Sequence, residues 1–225
     1  MENHLIWDWN GTLLDDVAAA VGALGRMLAK RGVAPVTVDR YRRRFGFPVR
    51  PFYAELGVDL EKWDWDGICE DFHEFVAQEP QSVREDALAA LELAALAGFR
   101  QSVLSALRQD LLDRALAENG FDRFMHRAFG TDNLDGCSKL QRGRELMAEL
   151  GAGTGNVVLV GDTLHDAEVA RAIGARCVLV TCGHQAPDRL VAAGCPLSGD
   201  LLGAVRIAAS MCGLPAGQAT GGAPS

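Results

Sequence analysis

Lysine is nearly absent from this 225-residue chain: it occurs only as Lys30, Lys62 and Lys139, and arginine supplies the rest of the positive charge. Basic residues are also outnumbered, 22 against 30 acidic ones, for a formal net charge of -8. A surface of that sign offers no field for a phosphate backbone or an anionic bilayer, which argues against nucleic acid and membrane as partners. Cysteine is sparse too. Cys69, Cys137, Cys177, Cys182, Cys195 and Cys212 show no CxxC spacing, and a chain of this length needs no disulfide staples, so they read as reduced thiols rather than a sulfur metal site. No apolar run approaches the roughly 20 residues that span a bilayer, and the opening MENHLIWDWNG lacks the pattern of a signal peptide. The expectation from these absences is a cytoplasmic protein whose partner is a small molecule; a monomer or homodimer is expected, though the sequence says little about that.

What is present is enough apolar material for a sizeable core, 48% of residues. His4 to Trp7 reads as a short buried strand that delivers Asp8-Trp9-Asn10-Gly11-Thr12 to its C-terminal edge. From Val17 to about Pro80 the pattern is helical, with segments 17–30, 38–45, 51–56 and 61–78 and enough aromatic residues for a small core of its own. Helix and strand then alternate, with strands expected at 99–104, 126–129, 157–160 and 177–180, which is the signature of a parallel sheet with crossover helices. Two weaker helices follow, at 188–193 and 200–211. The expected fold class is therefore α/β, a doubly wound parallel sheet formed by residues 1–16 and 81–212, with an all-helical insertion at 17–80. The tail 213–225, rich in Gly, Ala and Pro, is expected to be disordered.

Four strand ends present chemistry. Asp8 is a carboxylate able to attack phosphorus or hold a metal. Ser105 and the backbone N–H of Ala106 follow a strand and suit phosphate oxygens. Lys139, beside Ser138 at a helix start, adds an ammonium to a helix dipole that favours a dianion. Gly161-Asp162-Thr163-Leu164-His165-Asp166 places two carboxylates one helical turn apart, and with Asp8 they make a hard oxygen site suited to magnesium. A phosphate dianion repels an attacking carboxylate, so a phosphoryl-transfer site must neutralise charge with a metal and a cation.

These segments resemble, in order, the four motifs of the haloacid dehalogenase superfamily, over nearly the whole chain before the tail. By that resemblance Asp8 is the nucleophile and Thr12 hydrogen-bonds near it. Ser105 and Lys139 would bind the transferring phosphoryl group, and Asp162 would ligate magnesium with Asp8 and the carbonyl of Asn10. Asp166 would ligate the metal through water or brace Lys139. The insertion resembles the cap of the phosphoglycolate phosphatase branch, and Phe45 to Arg50 resembles a cap segment that presents an arginine to the far end of the substrate, which makes Arg50 a candidate for a remote anion. The implied activity is magnesium-dependent hydrolysis of a small phosphate ester through an aspartyl phosphate.

One position departs from the pattern. The family's general acid and base, an aspartate two residues after the nucleophile, is here Asn10, and an amide cannot shuttle a proton; the catalytic factor at stake is roughly 10² to 10⁴. Asp15, Asp16 or His165 would move the proton instead, or the leaving group needs none, or the chain binds phosphoesters in a regulatory role without efficient turnover. Deamidation of the Asn10-Gly11 pair would restore the aspartate. Phosphonate cleavage would want an insertion lysine, for which only Lys30 and Lys62 qualify. Arg42-Arg43-Arg44 reads as a solvated helix face, and Trp7 and Trp9 alternate with Asp8 and should point away from it.

Overall fold

The computed structural model describes residues 2–132, 139–151 and 156–215; Ser138, Cys137 and most of the tail whose disorder was expected lie outside them. β1 (His4–Trp7) is buried throughout and lies at the centre of a six-stranded sheet ordered β5-β4-β1-β6-β7-β8. Its neighbours are β4 (Arg100–Arg108) and β6 (Val157–Gly161), and the pairs of this sheet are parallel, continuing to β5 (Met125–Thr131) on one side and to β7 (Arg176–Val180) and β8 (Leu197–Ser198) on the other. The chain fills one half of the sheet before crossing to the other. The switch point therefore falls at the end of β1, where such sheets bind ligands.

Side chains of β1 alternate between two cores. Leu5 and Trp7 pack with α5 (Ala87–Leu96), α6 (Gln109–Glu118) and α10 (Leu201–Met211), while Ile6 packs with α7 (Lys139–Leu150) and α8 (Leu164–Ala172) on the opposite face. Trp7 and Trp9 are both fully sunk in the first core, and the Trp7 indole donates to Gln101 at 2.9 Å.

β4 runs further than the alternating apolar pattern suggests, so Ser105 stands within the strand at a register shift rather than after its end. A second strand pair was also not foreseen: β2 (Leu14–Asp15) and β3 (Ser82–Val83) form an antiparallel ribbon. Two residues per strand give no readable period, so only the tertiary pairing reveals it. This ribbon carries the chain into and out of the helical insertion, α1 (Val17–Lys30), α2 (Val38–Arg44), α3 (Val49–Glu55) and α4 (Trp65–Val76).

The insertion has its own apolar cluster, built on Leu24, Met27, Leu28, Tyr41, Phe52 and Ile68. Asp71 ties α4 to the end of α1 through Arg31 at 2.8 Å and Lys30 at 2.6 Å. Lys62 rests over the Trp63 ring. α9 (Pro187–Leu190) and a 3-10 turn at Val191–Ala193 replace the single weak helix expected there. Among the described residues no helix is long and apolar enough to cross a membrane, and no disulfide joins the described cysteines.

His4 gives the core an acid-labile point. It is 2% exposed, bonds Ser102 at 2.9 Å, and burial, with the His126 and Arg100 charges, lowers its pKa to about 4. A histidine depressed in the fold contributes stability that is complete above its ordinary value of 6.5 and lost as pH falls through about 4; the full loss is about 3 kcal/mol. His4→Gln is expected to flatten the decline in urea midpoint between pH 6.5 and 4. An unchanged acid slope would place the lability elsewhere.

Candidate active site

Asp8 follows the last residue of β1, and its backbone N–H continues the ladder to Val160 O at 2.8 Å, which fixes the carboxylate at the sheet's C-terminal edge. Lys139 opens α7 and reaches across to it: Nζ donates to Asp8 Oδ1 at 2.5 Å and to Asp166 Oδ1 at 2.6 Å. Asp166 in turn is the N-terminal staple of α8. Its Oδ2 accepts from the N–H groups of Asp162 and Thr163 and from the Thr163 hydroxyl, while Thr163 caps the helix reciprocally. Of the two roles the resemblance offers Asp166, bracing Lys139 is the one seen here. Asp162, at the end of β6, accepts at Oδ2 from the His184 N–H at 2.5 Å.

The electrostatics of this cluster ask for a cation. Asp8, Asp162 and Asp166 are buried, and each offers an oxygen such that all three lie within 4.8 Å of one another. They share a single ammonium. Burial raises Asp8 to about 6, against the pull of Lys139, and lifts Asp162 to about 8 despite nearby His184. Burial also works to raise Asp166, but Lys139 holds it below the ordinary carboxylate value. Burial opposes the charge on Lys139, yet Asp166 and Asp8 push its pKa up, so it stays an ammonium. Surplus buried carboxylate oxygen in a compact, all-oxygen set fits a hard divalent ion such as magnesium.

Asn10 is not idle beside the nucleophile. Its amide donates to Asp16 Oδ2 at 2.8 Å, the Gly11 N–H donates to Asp16 Oδ1 at 2.7 Å, and His184 Nε2 meets the same Oδ1 at 3.1 Å. The far ring nitrogen of His184 bonds the Tyr41 hydroxyl of α2 at 2.9 Å. A continuous chain of polar contacts thus runs from the nucleophile loop to the helical insertion. Burial opposes charge on both partners, but each raises the other's ionised form: His184 is pushed up to about 9 and Asp16 is held below its usual range. Gly11 is required twice over, since its φ is +76° and a Cβ there would overlap Asp162 and His184. Arg84, just after β3, clamps the same loops by donating to the carbonyls of Gly11, Thr12 and Cys182 at 3.0 Å.

Of the remaining expected residues, Thr12 is fully buried, but its hydroxyl has no hydrogen-bond partner among the described residues, so the expected bond near Asp8 is not formed. Ser105 is not brought to the cavity as expected: it is fully buried and accepts from the Leu107 N–H at 3.0 Å, while its neighbour Ala106 lines a cavity of about 570 Å³ with Asp8, Asn10, Lys139 and Asp162. Arg50 is not brought to that cavity: it is exposed and its guanidinium lies 4.8 Å over the Trp65 ring. The arginine triplet is not uniformly a solvated face. Arg42 donates to Thr181 O at 2.6 Å and to Gln185 O, docking α2 on the loop after β7. His165 lines the cavity with its ring 5.0 Å from that of Phe47 at a tilt of 33°, and burial lowers its pKa. Asp15 is outside it, 3.6 Å from Arg84.

His184, Tyr41, Gln185 and Arg84 were missed by sequence reading. A signal existed for the first of them: Thr181-Cys182-Gly183-His184 follows β7 at the same sheet edge that carries Asp8 and Asp162. For Tyr41 and Arg84 there was none, because their roles depend on how the insertion folds back.

Comparison with known proteins agrees with the geometry. The family model described as haloacid dehalogenase-like hydrolase matches residues 5–180. No curated protein matches the chain. Among solved structures, a predicted phosphatase from Clostridium acetobutylicum superposes with a TM-score of 0.77 at 17% identity, covering 92% of this chain and 98% of that one. A predicted phosphoglycolate phosphatase from Haemophilus somnus gives 0.69 at 14% identity, over 92% and 97% of the two chains. A conserved haloacid dehalogenase-like protein of unknown function from Agrobacterium tumefaciens gives 0.77 at 20% identity, over 94% and 99%. With the matched segment running from β1 to the end of β7, and the same fold in these structures, the chain belongs to the haloacid dehalogenase-like hydrolase family.

Proposed function

We propose that this protein is a magnesium-dependent phosphatase that hydrolyses a small phosphate monoester through a phosphorylated Asp8. The observation that carries the reading is the Asp8–Lys139–Asp166 triad beside Asp162 in one buried cluster. Asp8, Asp162 and the Asn10 carbonyl would hold magnesium, with Asp166 through water; the bound ion would neutralise phosphoryl oxygens and the surplus carboxylate charge. In the first step an Asp8 carboxylate oxygen bonds to phosphorus as the ester P–O bond breaks, its electron pair leaving with the substrate oxygen, which takes up a proton from solvent. Water then attacks phosphorus, the Asp8–phosphate bond breaks, and inorganic phosphate leaves as the water proton passes to solvent. Lys139 neutralises charge on the transferring group, while the Ala106 N–H orients it. The helical insertion would act as a cap on its ribbon hinge, excluding water from the first step.

Release of inorganic phosphate from a panel of monoesters, with and without magnesium, tests the reading. Turnover that needs the ion and disappears in EDTA is the expected result. Phosphate binding without turnover in any condition would favour the other reading, a phosphoester-binding regulatory protein.

Asn10→Asp is expected to lower phosphate release rather than restore a missing acid. The new carboxylate would face Asp16, whose Oδ2 lies 2.8 Å from the present amide nitrogen, and two carboxylates at that range cannot both ionise. We expect a loss of about tenfold, with recovery when Asp16→Asn is added, because the pair then keeps one donor and one acceptor. A gain in the single variant would show that residue 10 is simply a lost acid.

A further inference from the structure

The cavity over Asp8 is large for a phosphorylated two-carbon acid. At about 570 Å³ it falls in the range of about 300 to 1,000 Å³ that houses ligands of drug size. Away from the carboxylate end its walls include Phe45, Phe47, Val49, Phe72, Val76 and Leu111. Its charged lining is Asp8, Asp16, Glu118, Asp162 and Asp166 with Lys139, Arg114 and the ionised His184. Lys139 is taken up by Asp8 and Asp166, and Arg114 by Glu118 at 2.7 Å. Of the lining histidines, His184 is held by Asp16, while His165 and His73 lie against the Phe47 and Phe72 rings and His165 Nε2 is buried without a hydrogen-bond partner among the described residues. Arg50, the one insertion cation that sequence reading aimed at a remote anion, packs on Trp65 instead.

We infer that the substrate is a phosphate monoester whose organic part is aromatic and carries no second anion. Resting on the phosphatase reading, this deepens it by naming the substrate class. The phosphate docks on Lys139 and the Ala106 N–H, and the organic part lies among the phenylalanines, where ring faces and edges offer offset and edge-on contacts. A distal carboxylate or second phosphate would lose its water among those apolar walls, where the described lining cations Lys139, Arg114 and His184 are already paired with carboxylates, and would be rejected by desolvation.

Two measurements on the full chain with magnesium decide the matter. In the first, phosphate release is compared for 2-naphthyl phosphate, phenyl phosphate and 4-carboxyphenyl phosphate, with phosphoglycolate alongside. The expected order of kcat/KM is naphthyl, phenyl, then carboxyphenyl, with at least about tenfold between the extremes, and phosphoglycolate no better than the last. In the second, calorimetry compares 2-naphthylmethylphosphonate with phosphonoacetate, and the naphthyl compound is expected to bind at least about tenfold tighter. Equal or better use of the carboxylated probes in either measurement overturns the inference. Naphthyl selectivity in binding with no turnover of any ester upholds it while removing the phosphatase reading.

Discussion

Asp8→Asn is expected to abolish phosphate release, with a drop of roughly 10⁴-fold or more, because no neighbouring group can take over as nucleophile. Asp162 is turned to the His184 N–H, and Asp166 is occupied by Lys139 and the start of α8. The substitution is close to isosteric, and the fold should bear it well. It removes one of three carboxylates that share a single ammonium and leaves Lys139 its bond to Asp166, so the metal-free variant should melt no lower than the parent. Acid-quenched parent protein, mixed with substrate, should carry a phosphate-sized mass increment on the peptide containing Asp8, and the variant none. A variant retaining more than a few per cent of parental activity would move the nucleophile elsewhere.

Lys139→Met should damage both chemistry and stability. In the fold the ammonium is 3% exposed and is the sole basic partner of Asp8 and Asp166 among the described salt bridges. Breaking a buried ion pair from one side leaves uncompensated charge and costs about 3 to 5 kcal/mol. Removing the lysine also removes what holds the Asp166 pKa below its ordinary value and limits the burial-driven rise of Asp8, so both carboxyls should titrate higher in the variant.

Carboxyls raised above their ordinary values favour the fold when protonated and lose that contribution as pH rises through the folded values. The penalty in Lys139→Met should therefore be small near pH 4 and large near pH 8, the opposite slope to that predicted for His4. Magnesium should recover part of the deficit at the higher pH. Thermal unfolding at the two pH values, with and without the ion, reads this directly, and a pH-independent deficit would mean that lost packing, not stranded charge, dominates.

Much of the architecture was readable because its causes are local. The apolar run Leu5-Ile6-Trp7 and the runs at 157–160 and 177–180 are short and flanked by polar residues, as fully buried parallel strands must be. The helices between them carry apolar periods, and α2, α4 and α8 side-chain caps as well, that place their ends within a few residues. The β2–β3 ribbon, the length of β4 beyond Leu104 and the small β8 were not readable, since each depends on a partner strand rather than on its own pattern.

The site divides along the same line. Asp8, Lys139, Asp162 and Asp166 could be named from sequence because each sits where a strand meets a loop or helix at one edge of a sheet whose order follows from the βα alternation. Arg50 was assigned to a remote anion from its place in a resembling segment, but segment order does not fix side-chain direction, and the Trp65 face captured the guanidinium. Asn10 looked like a loss because a sequence shows one position at a time; Asp16 and His184, brought together from positions 168 residues apart, give the amide its partner.

The sequence by itself determined the parallel core, the presence of a helical insertion and the identity of the acidic cluster with its lysine, since these rest on periodicity and on residue type at strand ends, and the order of its motifs resembled the family that the match then showed. Only the tertiary structure decided which way the insertion faces, what Asn10 bonds and how the cavity is walled. Those properties arise where segments distant in the chain meet, and the hydrogen bonds and burial that set them exist only once the loop after β7 and α2 have closed on each other.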